Sequence, residues 1–210
     1  MLRIWGHTRS SNVMKVLWLC EELGIAHERV DAGGPFGRTK EPFYLAMNPN
    51  ARVPTIEDGE GFSTWESNSI LRYLCNSRAP GHALYPAEAK PRAHVERWMD
   101  WQLASLVGPM TTVFFTYVRT PEAERDMVAT GKARDEAEAL WGIVDRQLAG
   151  GRPYMCGGAL TLADVALGPY LHRWFALPIA RAELGALRGW YDRLRERHAG
   201  FRTHVAVALS

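Results

Sequence analysis

Residues 48–56 have the sequence NPNARVPTI, and residues 64–74, with the sequence TWESNSILRYL, follow shortly after. The first stretch is a cluster of turn residues that leads through an X-Pro step into a short β-branched strand. The second has the spacing of an amphipathic helix that opens on Glu66 and Ser67. We therefore expect a strand edge at Val53 to lie beside a helix N-terminus. An extended peptide can pair with such an edge while its carboxylate binds the helix amides, so the sequence predicts a small acidic peptide as ligand.

The start of this helix has a second interpretation. Ser63-x-x-Glu66 matches a capping box, in which the two side chains do no more than satisfy the first backbone N–H groups of a helix. Both interpretations can hold together, because a capped helix start can still present Ser67.

The residues before this stretch predict the rest of an α/β unit. Strands are expected at 2–6 and 26–30, separated by a helix with Val13, Val16 and Leu17 on one face. Asp58-Gly59 is a hairpin turn signal. A β-α-β start followed by a hairpin predicts a thioredoxin-like sheet.

The polar turn before the first helix ends in Ser10, Ser11 and Asn12. Side chains at this place can donate hydrogen bonds to an anion that also feels the positive end of the helix, and a bound thiol would be held there as thiolate. The alternative is that Ser11 or Asn12 only caps the helix. No cysteine lies in this turn, so any thiol chemistry must use the sulfur of a substrate.

Val-Pro followed by Glu-Ser at the head of the third helix resembles the glutathione-binding half of the cytosolic glutathione S-transferase family. The turn resembles that of bacterial, theta-like or nu-like members, which activate glutathione with a serine or an asparagine. Alignment on Lys15-Val16 favours Ser11 with Asn12 assisting, and Ser10 stays open as the alternative.

The resemblance also implies the residues that bind glutathione. Val53, before a cis Pro54, would pair with the peptide backbone, while Glu66 would take the ammonium group and Ser67 the γ-glutamyl carboxylate. Either Arg38 or Lys40, together with Arg52, would face the glycyl carboxylate, although exposed basic loop residues are usually just solvated.

The second half of the chain has no strand pattern beyond Lys90. Helices are expected at 92–117 with a bend at Gly108-Pro109, at 121–148, up to about residue 175 and at 184–198. Thr161-x-x-Asp164 predicts a capping box at the start of the third of these. We expect a thioredoxin-like α/β, glutathione-binding domain at 1–77, a linker at 78–90 and an all-α helical bundle domain at 91–210.

The family places its second substrate in an apolar cleft between the domains, which here implies four residues of one helix: Met110, Phe114, Phe115 and Tyr117. Ordinary helix packing explains the same residues equally well. The resemblance also implies a homodimer.

Composition narrows the other possibilities. The formal net charge of +2 gives no field that favours nucleic acid, and no apolar run is long enough to span a bilayer. Three scattered cysteines and seven scattered histidines have neither disulfide nor metal-site spacing. We expect a cytoplasmic protein with no metal, no nucleic-acid partner and no membrane partner.

The expected activity is detoxification by a glutathione transferase, with glutathione as co-substrate. Glutathione would be bound, held as thiolate and conjugated to a small apolar electrophile. One alternative is a glutathione-dependent disulfide reductase or peroxidase, because a thiolate also attacks sulfur and oxygen. The other is a non-catalytic, glutathione-transferase-like binding protein.

Overall fold

The structure, a computed structural model, describes residues 1–210 and begins with an α/β unit. Its elements in chain order are β1 (Leu2–Trp5), α1 (Ser11–Glu22), β2 (His27–Val30), α2 (Pro42–Met47), β3 (Thr55–Asp58), β4 (Ser63–Trp65) and α3 (Ser67–Arg78). The strands form one sheet in the order β2-β1-β3-β4, in which β2 is parallel to β1 and the hairpin is antiparallel. The predicted thioredoxin-like fold is confirmed.

The rest of the chain is helical. Its elements are α4 (Ala89–Trp101), α5 (Val107–Val118), α6 (Met127–Leu148), α7 (Leu162–Ala176), α8 (Gly185–Arg197) and α9 (Ala199–His204). This confirms the predicted all-α second part, and no helix is both long and apolar enough to cross a bilayer. The limits of 77 and 91 for the two domains stay predictions.

Helix α1 joins the two parts because both pack on it. Every residue from Val13 to Cys20 is buried, and the helix lies between the sheet, α3, α7 and α9. The Trp18 ring enters the helical part so closely that a Cβ on Gly168 would lie 2.4 Å from it. A single core of apolar residues therefore continues from one part into the other.

Three details of the helices differ from the predictions. A bend was expected at Gly108-Pro109, and the structure instead has a π-helical segment at Gln102–Leu106. This segment widens the helix shortly before Pro109, which has no backbone N–H to donate. Helix α6 starts at Met127, not at residue 121, because the Asp126 carboxylate accepts a hydrogen bond from the Ala129 N–H at 2.9 Å. The short helix α9 was not predicted.

Candidate functional site

The loop before β3 is held from inside the protein. Both the Tyr44 hydroxyl and the Asn48 amide donate to the Arg52 carbonyl oxygen, at 2.7 and 2.9 Å. Both also contact the Thr55 hydroxyl, at 2.8 and 3.0 Å. Tyr44, Asn48 and Thr55 are buried, so this network fixes the backbone on either side of Val53.

Val53 itself has an open backbone edge. The peptide bond to Pro54 is cis, as the resemblance implied, and neither the N–H nor the C=O of Val53 has a hydrogen-bond partner within the chain. Its side chain fills the space that two glycines leave free, since a Cβ on Gly33 or Gly6 would lie 3.0 or 3.4 Å from it. The edge therefore lies next to the loop that leads into α1.

The starts of α1 and α3 meet at one place. The Ser67 hydroxyl donates to the Asn12 side-chain oxygen at 3.2 Å, which joins the first turns of the two helices. Neither helix has a side-chain cap: Ser10 and Glu66 occupy the N-cap positions without accepting a hydrogen bond from the helix. Two positive helix ends are thus left open beside each other.

The prediction that Ser63 and Glu66 form a capping box is wrong. Ser63 lies in β4, and α3 begins only at Ser67. Glu66 adopts a φ of 66°, in the left-handed region that non-glycine residues rarely occupy. Its side chain is exposed.

The three residues of the turn differ in their surroundings. The Ser11 hydroxyl is buried and donates to the Tyr170 hydroxyl of α7 at 3.5 Å. Asn12 is half-buried and contacts Ser67, while Ser10 is half-buried and its hydroxyl has no hydrogen bond within the chain. Ser10 and Asn12 are therefore the more accessible of the three.

The basic loop residues Arg38, Lys40 and Arg52 are all exposed. The Arg38 guanidinium lies over the rings of Trp5 and Phe43, at 4.8 and 5.2 Å. Arg52 is held only through its backbone carbonyl, so its side chain stays available.

The predicted second-substrate residues do not share one surface. Phe114 lines a cavity of about 360 Å³ together with Met14, Arg173 and the last residues of the chain. Met110 is fully buried in the core, Phe115 is 53% exposed, and the half-buried Tyr117 packs beside Phe114 without lining the cavity.

Lys15 is a site residue that the sequence did not reveal as one. It is fully buried, and its Nζ donates to Gln102 at 2.8 Å, Asn68 at 3.2 Å and Ser67 at 3.4 Å. Burial lowers the pKa of Lys15 to about 7, against the opposing charge of Glu66. The sequence signal that could have pointed to Lys15 is its position as a charged residue within the apolar run of α1.

The thiols of the chain are unsuited to catalysis. Burial raises the pKa of Cys20 and of Cys75 to about 12, and that of Cys156 to about 11. No group of three or more His, Cys, Asp or Glu side chains is placed to hold a metal ion.

Comparison with known families decides between the possible identities of this site. The model for the N-terminal domain of glutathione S-transferases matches residues 1–76, and the model for the C-terminal domain matches residues 87–193. The chain belongs to the glutathione S-transferase family. This confirms the resemblance drawn from Val53, Pro54, Glu66 and Ser67.

Individual relatives of this glutathione S-transferase family member span its whole length. Glutathione S-transferase GstB of Escherichia coli (strain K12) is 35% identical over 211 residues, which cover 100% of both chains. A theta class glutathione S-transferase from Xanthomonas axonopodis pv. citri, solved with glutathione bound, superposes with a TM-score of 0.93 at 43% identity. That match covers 100% of this chain and 99% of the other.

Another relative is named for a different activity. The disulfide-bond oxidoreductase YfcG of Escherichia coli (strain K12) is 26% identical, over 90% of this chain and 87% of its own. Family membership therefore fixes the fold and glutathione as co-substrate, and leaves the reaction to be proposed from the site.

Proposed function

We propose that the protein binds reduced glutathione along the Val53 edge, holds its sulfur as thiolate at the start of α1, and transfers it to an electrophilic carbon of a small molecule. The observation that carries this proposal is the hydrogen bond between Ser67 and Asn12, which sets two uncapped helix ends side by side. Each charged end of glutathione then meets an unsatisfied part of the protein.

The peptide part of glutathione fits the open groups one by one. Its backbone pairs with the free N–H and C=O of Val53. Its γ-glutamyl carboxylate meets the Ser67 hydroxyl and the first amides of α3, and its ammonium meets Glu66. Arg38, Lys40 or Arg52 faces the glycyl carboxylate at the other end.

The sulfur then lies at the turn before α1. Free thiols have a pKa near 8.5, so a shift of roughly one to two units gives mostly thiolate at neutral pH. The Ser10 hydroxyl, the Asn12 amide and the N–H groups of the first turn can supply that shift. Ser11, the residue favoured by alignment, reaches the sulfur only if it gives up its contact with Tyr170.

The binding part of the proposal is tested by calorimetric titration of reduced glutathione into the wild-type protein and Ser67→Ala. Saturable binding that weakens about tenfold in the variant is expected, the scale of one charge-assisted hydrogen bond. Absence of binding at millimolar glutathione contradicts the proposal.

The activating residue is identified by the absorbance of bound thiolate near 240 nm as a function of pH. Ser10→Ala is expected to raise the pKa of bound glutathione by about one unit or more, and Asn12→Ala to raise it less. Ser11→Ala serves as the comparison, and a larger shift in this variant than in Ser10→Ala restores the alignment-based assignment.

A second candidate function is glutathione-dependent disulfide reduction, favoured by the similarity to the oxidoreductase YfcG. The same bound thiolate would attack a disulfide sulfur and release a thiolate as leaving group. Steady-state rates with an aryl halide and with a small disulfide separate the two reactions. Turnover of the disulfide alone contradicts the transferase proposal.

A further inference from the structure

The cavity that Phe114 lines lies directly beside the turn before α1. Thr8 and Arg9 of this turn form one wall, Phe114 of α5 and Arg173 of α7 form another, and residues 207–210 close the third side. Ser10 is the next residue of the turn and the N-cap of α1, so the start of α1 lies close to the cavity. A molecule in it would therefore be within reach of a sulfur held at the start of α1.

The lining of this cavity carries positive charge without acidic residues. Arg9 and Arg173 line it, and neither an aspartate nor a glutamate does. Arg119 adds a third guanidinium at its edge, 5.9 Å from the Phe114 ring, and donates to the Ser210 carbonyl at 2.9 Å. None of these three arginines forms an ion pair with an aspartate or glutamate side chain.

The charges of these arginines affect the pKa of a neighbouring side chain. The pKa of His7 is lowered, first by burial and then by the charges of Arg119 and Arg9. Glu21 does not line the cavity, and its carboxylate contacts the lining residue His204 at 3.8 Å and not an arginine. The net field inside the cavity thus favours an anion.

Arg173 is the most unusual member of the group because it is only 8% exposed. Its guanidinium lies 3.7 Å from the Phe114 ring centroid, and its one hydrogen bond goes to the Arg9 carbonyl oxygen at 3.3 Å. Burial lowers the pKa of Arg173 to about 10, so the group is charged at neutral pH. A guanidinium that lines a cavity without a carboxylate partner retains N–H donors that can bind an incoming anion.

We infer that the second substrate carries an anionic group, a carboxylate or a sulfonate, which Arg173 and Arg9 bind while its electrophilic carbon faces the sulfur at the start of α1. The inference rests on the proposed function and adds a substrate class to it. The Arg173 guanidinium lies over the Phe114 ring, and a guanidinium can contact a planar carboxylate through two N–H groups at once.

A matched pair of probes tests charge separately from shape. In 4-chloro-3-nitrobenzoate and 4-chloro-3-nitrobenzamide, the glutathione thiolate attacks the carbon that bears chlorine, a C–S bond forms, the C–Cl bond breaks and chloride leaves. The two compounds differ mainly in charge. Each enzymatic kcat/KM is divided by the uncatalysed rate constant of the same compound, because the two rings differ in intrinsic reactivity.

The wild-type protein is expected to favour the benzoate over the benzamide by about tenfold or more, the scale of a hydrogen-bonded ion pair. Arg173→Gln is expected to abolish that preference by lowering the normalised kcat/KM of the benzoate and leaving that of the benzamide unchanged. Arg173→Lys is expected to restore part of the preference. Arg188→Gln is the matched control: this guanidinium also stacks on a ring, Phe175 at 3.9 Å, but lies outside the cavity. The control is expected to keep the preference.

Binding is measured in parallel by titrating both compounds into the protein without glutathione. The benzoate is expected to bind wild type and Arg188→Gln at least tenfold more tightly than Arg173→Gln. Thermal unfolding and glutathione affinity of each variant show that it is folded. Should Arg173→Gln fail to fold, Arg9→Gln takes its place, because Arg9 is exposed.

The outcomes separate the inference from the proposed function. Equal normalised kcat/KM values of the two probes in the wild-type protein overturn the inference. Equal losses of kcat/KM for both probes in Arg173→Gln also overturn it, and would mean that Arg173 acts on the glutathione thiolate and not on the second substrate. If neither probe reacts, the proposed conjugation fails on this substrate class. The titrations then still decide whether the cavity selects an anion.

Discussion

The starts of α7 and α3 carry the same sequence pattern and behave in opposite ways. At α7, Thr161 and Asp164 form the predicted capping box, in which the Asp164 carboxylate accepts from the Thr161 N–H and hydroxyl at 2.9 and 2.8 Å. At α3, Ser63 and Glu66 have the matching spacing and form no box. Helix α7 is capped by side chains at its own N-terminus, and α3 has no side-chain cap.

Burial explains the difference. Asp164 is fully buried and also accepts from the Met155 N–H and the Trp190 indole, at 2.9 and 3.1 Å. Glu66 is exposed, and a β-hairpin holds Ser63 away from the helix. A helix start deep in the core must be capped from inside the chain, because no ligand or water reaches it.

Asp164→Ala is expected to give the largest effect on stability. It leaves the Met155 N–H, the Thr161 N–H and the Trp190 indole without an acceptor, so the free energy of unfolding should fall by about 3 kcal/mol or more. Urea denaturation measures it, with the exposed Glu136→Ala on α6 as control. A loss below about 1 kcal/mol would mean that the capped start is no more sensitive than a surface site.

Lys15→Met probes the charge beneath the open helix starts. Because the folded-state pKa of Lys15 is lowered to about 7 from 10.5, the unfolded chain binds more protons between these values. Wild type should therefore gain stability relative to the variant as pH rises, by about 2 kcal/mol between pH 7 and 9. Urea denaturation of both proteins at the two pH values measures this change, and a difference independent of pH would mean that Lys15 stays charged when folded.

Ser67→Ala should lower glutathione affinity about tenfold and change the free energy of unfolding by less than about 1 kcal/mol. That contrast is the reverse of the one expected for Asp164→Ala, which should leave the affinity of the folded protein intact. Calorimetric titration and urea denaturation on the same samples give both quantities. A large loss of stability in Ser67→Ala would make α3 a capped helix like α7.

Ser63→Ala should give the smallest effect, a change in the free energy of unfolding within about 0.5 kcal/mol, because the Ser63 side chain does not cap a helix. Thr161→Ala is its matched partner and should cost about 1 to 2 kcal/mol. The two are compared by their urea midpoints. Equal losses would remove the distinction between the two helix starts.

Much of the fold follows from local patterns in the sequence. The hairpin at Asp58-Gly59, the apolar face of α1 and the capping box of α7 each depend on residues close together in the chain, and the structure confirms them. The missing cap at Ser63 escaped prediction because it depends on where β4 ends. The π-helical segment has no sequence signal except the proline that follows it.

The candidate site also contains residues that the sequence predicted and residues that only the structure revealed. Val53, Pro54, Glu66 and Ser67 were predicted as ligand residues from the resemblance, and the structure shows Ser67 in contact with Asn12. Lys15 and Arg173 were not, because their importance comes from burial without a carboxylate partner, which requires contacts between distant parts of the chain. The sequence showed only that each is a basic residue within a helix.

The burial of α1 from both sides has a consequence for how the chain can be divided. Expression of the α/β part alone would uncover the apolar side chains around Trp18, a surface that promotes aggregation. In the whole protein, the amide protons of α1 should exchange only when the entire molecule opens, and their exchange rates should be among the slowest in the chain. The first turn of α1, where we propose that the glutathione sulfur is held, is thus followed directly by a segment in which every residue from Val13 to Cys20 is buried.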